Sequence, residues 1–588
     1  MVLARRPSKC LEMNDLSELL AYSLQAGERV LARRHQRQRK ELGQFLTPLA
    51  VARYMACQLG PLRDGDRILD PAIGSGILAC AVIEQAAASG EPLELHIDGY
   101  EVDPELAQTA RDVLAQATEM AARSGVTLHT HVYERDFVLA RRPLGPLFDV
   151  PDVSTFYDHI IANPPYFKLS KDDPRVQAVE GRVNGYTNIY TLFMALSLKL
   201  LRPLKRACFI VPRSFCSGAY FSAFRRDFMR QAAPIAIHLF ESREEVFKRS
   251  DVLQENIVLT FHARQCQEEH RERPGHVFIS TSRNAVDLDA NPAGRKVPLK
   301  LFLGKRNGIT FFRLPTSEVE ESIVEAVDRW EGSLQQYGLA VSTGPVVAFR
   351  ARAFLSTDVG AVESGQAVPL LWMQNVQAQA VDWPVVRGNK PQAILLAAND
   401  KKLLVPLRNY VLLRRFSAKE EHRRLVAAPL LAGNFESRCQ QIGLENHLNY
   451  VYREVGDLTA VEAVGLSALL NSVLVDRYFR VTNGNTQVNA TDLRALPLPP
   501  LGVIERIGQA VMAASSSADV DQVTLSILRD TGFIPKRLES VGGIEDDGKN
   551  RGSAGRFADP GIATSAAERD ISSHSTGART VIGEYTME

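Results

Sequence analysis

The segment that most constrains the fold is an apolar run, Ile68-Leu69-Asp70, that enters the turn Pro71-Ala72-Ile73-Gly74-Ser75-Gly76 and continues as a helical stretch from about Ile77 to Ala88. A strand that passes through glycines directly into a helix is the start of a βαβ unit, because glycine lets the backbone turn tightly and come close to a ligand. Further short apolar segments, Leu95-His96-Ile97, His159-Ile160-Ile161 and Ala207-Cys208-Phe209-Ile210-Val211, alternate with helical stretches as far as about Gln265. This alternation predicts an α/β domain over 43–265 with a doubly wound, mostly parallel, Rossmann-like sheet. The turn has neither the third glycine of a dinucleotide fingerprint nor the lysine of a phosphate-binding loop, so it suits a ligand without phosphates.

Residues 1–42 read as a helical arm that ends in the basic run Arg33-Arg34-His35-Gln36-Arg37-Gln38-Arg39-Lys40, equally suited to a solvated helix face or a DNA backbone. The polar stretch 266–299 reads as a connection, and 300–500 as a second, mixed α+β domain of short strands, aromatics and arginines. A helical segment over 501–535 follows, and then a disordered tail over 536–588, where Gly, Ser, Asp and Thr dominate. The 69 basic and 68 acidic residues nearly cancel, so any nucleic-acid contact has to come from local patches. The seven cysteines include no pair at the two-residue spacing of a zinc site, so no metal is expected. Without a long apolar run or a signal-like N-terminus, a cytoplasmic protein is expected.

A second strand ends in Glu101-Val102-Asp103-Pro104, about 25 residues beyond the glycine turn. A carboxylate at that strand tip can take both ribose hydroxyls of a nucleoside, which makes Glu101 the candidate for this role. Asp136-Phe137 closes a third candidate strand and could hydrogen-bond to an adenine ring and stack on it.

The most informative residues are Asn163-Pro164-Pro165-Tyr166, after the strand His159 to Ala162. Two prolines stiffen the backbone and donate no N–H, leaving the carbonyls before them free for a ligand. The Asn163 side-chain oxygen and the Pro164 carbonyl can both accept from one exocyclic amine, which draws its nitrogen toward tetrahedral geometry and exposes the lone pair. Tyr166 offers an aromatic face to a planar substrate.

In order, Gly43-Gln44-Phe45-Leu46-Thr47-Pro48, Asp70 to Gly76, Gly99 to Pro104 and Asn163 to Tyr166 resemble the gamma-class, TaqI-type adenine-N6 DNA methyltransferases of restriction-modification systems. The resemblance extends through Asn188 to Leu201, Phe209-Ile210-Val211-Pro212 and Asn256 to Phe261, and more loosely through Thr482 to Pro499. It implies S-adenosylmethionine as cofactor, held by Thr47, Pro48, Asp70, Pro71, Ala72, Gly74, Gly76, Glu101, Asp136 and Phe137. In the family the Thr-Pro segment closes over the methionine end of the cofactor, and an aromatic, here Phe261, stacks on the flipped base. Asn163, Pro164, Pro165 and Tyr166 carry the chemistry, with Tyr166 also contacting the base.

Double-stranded DNA is the implied partner, with the target adenine flipped out of the stack. A monomer is expected, serving beside a separate restriction endonuclease, and 300–500 becomes the target-recognition domain. Its basic and aromatic clusters are Phe349-Arg350-Ala351-Arg352, Trp372-Met373-Gln374-Asn375, Trp383 to Lys390 and Arg414-Arg415-Phe416. The loop after the Asn-Pro-Pro-Tyr turn adds Lys168, Lys171, Arg175 and Arg182. The alternative is a protein glutamine-N5 or RNA N-methyltransferase with the same four-residue site; the large segment after residue 300 and the early Thr-Pro segment weigh against it.

Overall fold

In a computed structural model of the chain, residues 9–35, 45–140, 156–170, 172–179, 188–241, 255–265, 275–285, 287–288, 291–306, 308–385, 390–396, 401–417, 421–435, 439–484, 487–515 and 518–535 are described. The described residues all fall within the first of two units, Met1–Gly542. The tail expected over 536–588 lies outside the described residues.

The sheet at the centre of the first unit has nine strands: β1 (Arg67–Asp70), β2 (Leu93–Glu101), β3 (Val126–Glu134), β4 (Tyr157–Ala162), β5 (Leu201–Pro212), β6 (Ala232–Phe240), β7 (Asn256–Ala263), β8 (His276–Ser282) and β9 (Gly294–Pro298). They lie in the order β3-β2-β1-β4-β5-β7-β6-β8-β9. The pairs from β3 to β5 are parallel, and β7 runs antiparallel to both β5 and β6. This is the doubly wound, mostly parallel sheet expected. All six residues of β4 are buried, as a central strand covered on both faces requires. Strand order reverses between β1 and β4, and a crevice forms beyond the carboxyl ends of strands at such a point.

The sheet runs further than expected. β8 and β9 occupy much of 266–299, the stretch read as a connection, with β8 parallel to β6 and β9 antiparallel to β8. They are less buried than β4: β8 leaves Phe278 and Thr281 only partly covered and β9 buries Val297 alone, as suits strands near the end of a sheet.

Helices α1 (Lys9–Ala32), α2 (Leu49–Gln58), α3 (Ile77–Ser89) and α4 (Pro104–Arg123) belong to the sheet's first half. α3 is buried along most of its length, with α1, α2 and α4 all against it, which is why its sequence is apolar nearly all round.

Beyond residue 300, a four-stranded antiparallel sheet joins Leu339–Thr343, Leu448–Arg453, Tyr410–Arg414 and Ala427–Leu430 in that order. A five-stranded mixed sheet joins Leu355–Ser356, Ala393–Leu395, Ala367–Leu371, Gln441–Leu444 and Leu404–Pro406. Helices Ala460–Asn471, Val473–Thr482, Leu501–Ala513 and Val520–Asp530 follow. One hydrophobic core runs from Leu69 and Phe209 of the large sheet through Phe312 and Trp330 to Val411, Leu466 and Leu528. No helix among the described residues is long and apolar enough to cross a membrane.

Candidate active site

The crevice at the strand reversal is built from two turns, one after β1 and one after β4. The first is the glycine turn. Gly74 (φ +56°) and Gly76 (φ +89°) adopt left-handed backbone that other residues avoid. A Cβ atom added at Gly74 would meet no atom within 4 Å, so the backbone of the turn borders open space there. Glu101, at the tip of β2, is fixed from both sides: Gly74 N–H donates to its Oε2 (3.1 Å) and Asp103 N–H to its Oε1 (2.9 Å). Burial pushes the Glu101 carboxyl above its ordinary range, and these backbone donors pull it back toward the ionised form.

Asp70 ends β1 inside the protein. Its Oδ1 accepts from Ala72 N–H (3.1 Å), while Oδ2 is buried with no hydrogen-bond partner. Burial, with the nearby Glu101 charge a lesser contribution, pushes the Asp70 carboxyl up to about 8. A buried oxygen with an unmet bond costs stability unless a ligand supplies the partner.

The second turn holds Asn163. Its amide donates both hydrogens, to the Phe45 carbonyl (2.8 Å) and to Thr47 Oγ (3.1 Å), which leaves Oδ1 as its acceptor. The Tyr166 hydroxyl lies 2.6 Å from that Oδ1 and 2.9 Å from the Ile210 carbonyl, and its one proton can serve either. Thr47 is buried, and Pro48 stands at the start of α2. The Thr47-Pro48 segment thus reaches the chemistry turn itself.

Three expectations change. Phe261 is fully buried, stacked on Phe209 (5.7 Å between ring centroids) with Phe228 at its edge (5.0 Å). β4 ends at Ala162 paired with Phe209, which sets the Asn163 turn level with Ile210, whereas β7 pairs Phe261 with Ala207, three residues further down β5; at about 3.3 Å per residue this is roughly 10 Å below the turn. Phe261 is a core residue and not a base contact. Phe137 is likewise 1% exposed, packed against Tyr100 and Phe193, so its ring offers no open face to an adenine. Asp136 instead accepts from the N–H groups of Val138 and Leu139, capping the short helix Phe137–Ala140. The Tyr166 ring is covered too, stacked on Phe45 at 6.2 Å and edge-on to Tyr190.

The sequence also hid a support for the site. α1 lies on the glycine turn: Ser23 Oγ donates to the Ser75 carbonyl (2.9 Å), and a side chain at Gly27 would come within 2.8 Å of Ser75 Oγ. Arg34, from the basic run, forms ion pairs with Asp103 and Glu105 beside Glu101; residues 36–40 of that run lie outside the described residues. An aromatic row, Tyr166, Tyr190, Phe221 and the exposed Tyr220, leads from the Asn163 turn to the surface. Its only sequence signal is the Tyr220-Phe221 pair soon after β5. In the loop after Tyr166, Arg175 is engaged with Asp173 and lies over the Phe167 ring, Lys168 is exposed, and Lys171 and Arg182 lie outside the described residues.

A Rossmann-like domain with a glycine turn, a strand-tip carboxylate and an Asn-Pro-Pro-Tyr turn defines a methyltransferase class, and the comparisons agree. The Eco57I restriction-modification methylase family model matches residues 139–247, which include the Asn163 turn. The chain is 34% identical over 477 residues to the type II methyltransferase M.PstI of Providencia stuartii, covering 80% of this chain and 90% of that one. It is 30% identical to M.BsuBI of Bacillus subtilis, covering 81% and 91%. Among solved structures, a DrdV–DNA complex aligns with 87% of this chain and 60% of its own at 13% identity and a TM-score of 0.46. The chain belongs to the type II methyltransferases of restriction-modification systems.

Proposed function

We propose that the chain transfers a methyl group from S-adenosylmethionine to N6 of an adenine flipped out of double-stranded DNA, as the modification component of a restriction-modification system. The observation that carries this reading is the Asn163 amide, which spends both its hydrogens within the protein and keeps Oδ1 as an acceptor, shared with the Tyr166 hydroxyl. When bound, S-adenosylmethionine supplies a methyl group on a positively charged sulfur. Glu101 takes the ribose hydroxyls, the glycine turn leaves room for the nucleoside, and the unpartnered Asp70 Oδ2 fits the amino group of the methionine moiety. These residues suit a nucleoside that also carries a cation.

On the substrate side, the Asn163 and Pro164 oxygens each accept a hydrogen bond from the amine. Both bonds strengthen as the nitrogen pyramidalises, so they favour the transition state over the ground state. Turning the Tyr166 proton to the Ile210 carbonyl frees Asn163 Oδ1 for this task. The nitrogen gains a bond to carbon, the carbon–sulfur bond breaks, and one amine proton leaves to solvent. No covalent nucleophile is used. Phe45 covers one face of the Tyr166 ring, so a base that stacks on that face displaces Phe45.

DNA recognition falls to the region beyond residue 300, where Phe349, Arg350 and Arg352 are exposed. The test is to incubate the full chain with S-adenosylmethionine and duplex DNA, digest to nucleosides and identify the methylated base by mass spectrometry. N6-methyladenine is expected; transfer only to RNA or to a protein amide overturns the reading.

A further inference from the structure

Toward the start of β2 and β3, at the far end of the strands from the crevice, three metal-ligating side chains come together. The parallel register sets His96 directly beside His129, and Glu94 lies two residues before His96, on the same face. Glu94 Oε1 lies 3.2 Å from His129 Nε2 and 3.6 Å from His96 Nε2, and all three ligand atoms fall within 4.8 Å of one another. The two imidazole rings are stacked, nearly parallel, with centroids 4.7 Å apart. The start of β2 is also pinned, since Glu94 N–H donates to Asp64 Oδ1 (2.7 Å) and the Glu94 carbonyl accepts from Gly65 N–H (2.8 Å).

We propose that Glu94, His96 and His129 form a binding site for a divalent transition-metal ion of the zinc type. Donors about 2.0–2.1 Å from a tetrahedral metal stand roughly 3.3–3.5 Å apart, close to the two separations found here. Two imidazoles and one carboxylate select zinc, nickel, cobalt or copper over magnesium or calcium, which prefer oxygen ligands. Mutual attraction gives a weaker reason for the cluster, because contacts between half-exposed charged groups contribute little. The side chains are open to solvent, so an ion can enter and the longest separation can contract on binding.

The cluster lies about five residues, roughly 16 Å, down β2 from Glu101, so the ion takes no part in methyl transfer. Its effect is structural. Among the described residues β3 is the outermost strand of this sheet, paired with β2, and a metal spanning the two strands fastens that edge. The proposal is independent of the methyltransferase reading, and failure of either leaves the other standing.

The experiment titrates the metal-free full chain with Zn²⁺ by calorimetry and with Co²⁺ by visible absorption, for the wild type and for His96→Ala, His129→Ala and Glu94→Gln. These side chains are half-exposed, and melting curves without metal check that each variant folds. One equivalent is expected to bind the wild type. Each variant should lose at least about tenfold in affinity, the size of effect seen when even a partner outside the ligand set is removed. Zn²⁺ should raise the melting temperature of the wild type and not that of His129→Ala. No saturable binding to the wild type, or equal binding by the wild type and His129→Ala, overturns the site.

Discussion

The crevice and the Phe349–Arg352 segment of the folded unit use their polar side chains in opposite ways. Around the crevice nearly every assigned group is already tied down: Glu101 by two backbone N–H groups, Asn163 by Phe45 and Thr47, Asp136 by the helix it caps. Beyond residue 300, Arg414 and Arg415 are likewise spent on internal carbonyls, and the indoles of Trp372 and Trp383 donate to Pro391 and Gln392. Phe349, Arg350 and Arg352, in contrast, stand in solvent, Phe349 at 76% exposure with the Arg350 guanidinium over its ring. Bond-making needs atoms fixed before the substrate arrives. A surface that takes up a large polyanion needs charge held open until its partner arrives.

The two regions cannot be separated to test this contrast. Their apolar core is continuous from Leu69 to Leu528, so a chain ending near residue 300 would leave that core open to water. Point substitutions are the better instrument. The largest effect is expected at Asn163: Asn163→Ala should lower single-turnover methyl transfer on the order of 10²–10³-fold, the scale for losing one preorganised polar contact to a transition state. Cofactor and DNA affinity should stay within a few-fold, because the lost bond matters mainly as the nitrogen becomes tetrahedral. Near-normal turnover in the variant would remove Asn163 from the chemistry.

Next in size is Glu101→Ala, which should weaken cofactor binding by about 1.5–3 kcal/mol, as for hydrogen bonds to a charged group. DNA binding should be unaffected. Calorimetry showing an unchanged dissociation constant would leave Glu101 as a support for the glycine turn through Gly74 N–H and nothing more.

Thr47 sharpens the comparison within the crevice, since resemblance assigns it to the cofactor while its hydroxyl accepts from Asn163. Thr47→Val removes that acceptor at nearly constant volume and should cost about tenfold in turnover, the value of one buried hydrogen bond to an amide. Thr47→Ser should restore most of it. A loss of cofactor affinity that saturating cofactor fully repairs would return Thr47 to a binding role alone.

What could be read from the sequence follows the same division. The glycine turn, Glu101 and Asn163 were legible because their chemistry requires particular residue types at the ends of apolar strands, and strand ends can be located. Phe261 was misplaced because every residue but one of β7 is buried, so its apolar pattern does not say which aromatic lies at the crevice end. Phe137 was read as closing a strand, but β3 stops at Glu134 and Phe137 opens a short helix, and only the fold brings Tyr100 and Phe193 against its ring. The docking of α1 depends on one glycine, Gly27, meeting Ser75 across 48 residues of chain, and no local periodicity encodes that contact. His96 and His129 are 33 residues apart and become neighbours only through strand register.

The smallest expected effect tests the exposed half of the comparison. Arg350 and Arg352 flank Ala351, which is buried in a small satellite core with Val346, Val368 and Leu370, so the backbone beneath them is fixed while both side chains remain in solvent. If they meet phosphates, Arg350→Ala with Arg352→Ala should weaken duplex binding several-fold and to the same degree on every sequence, because phosphate contacts carry no sequence information. The slope of log affinity against log salt should fall by about 2, one for each charge removed. Turnover at saturating DNA and the cofactor dissociation constant should match the wild type, as neither arginine belongs to the crevice. A loss confined to one sequence would make them base-reading residues. Unchanged affinity and slope would mean that DNA is met by another surface, and would overturn the proposal that these exposed arginines beyond residue 300 take part in recognition.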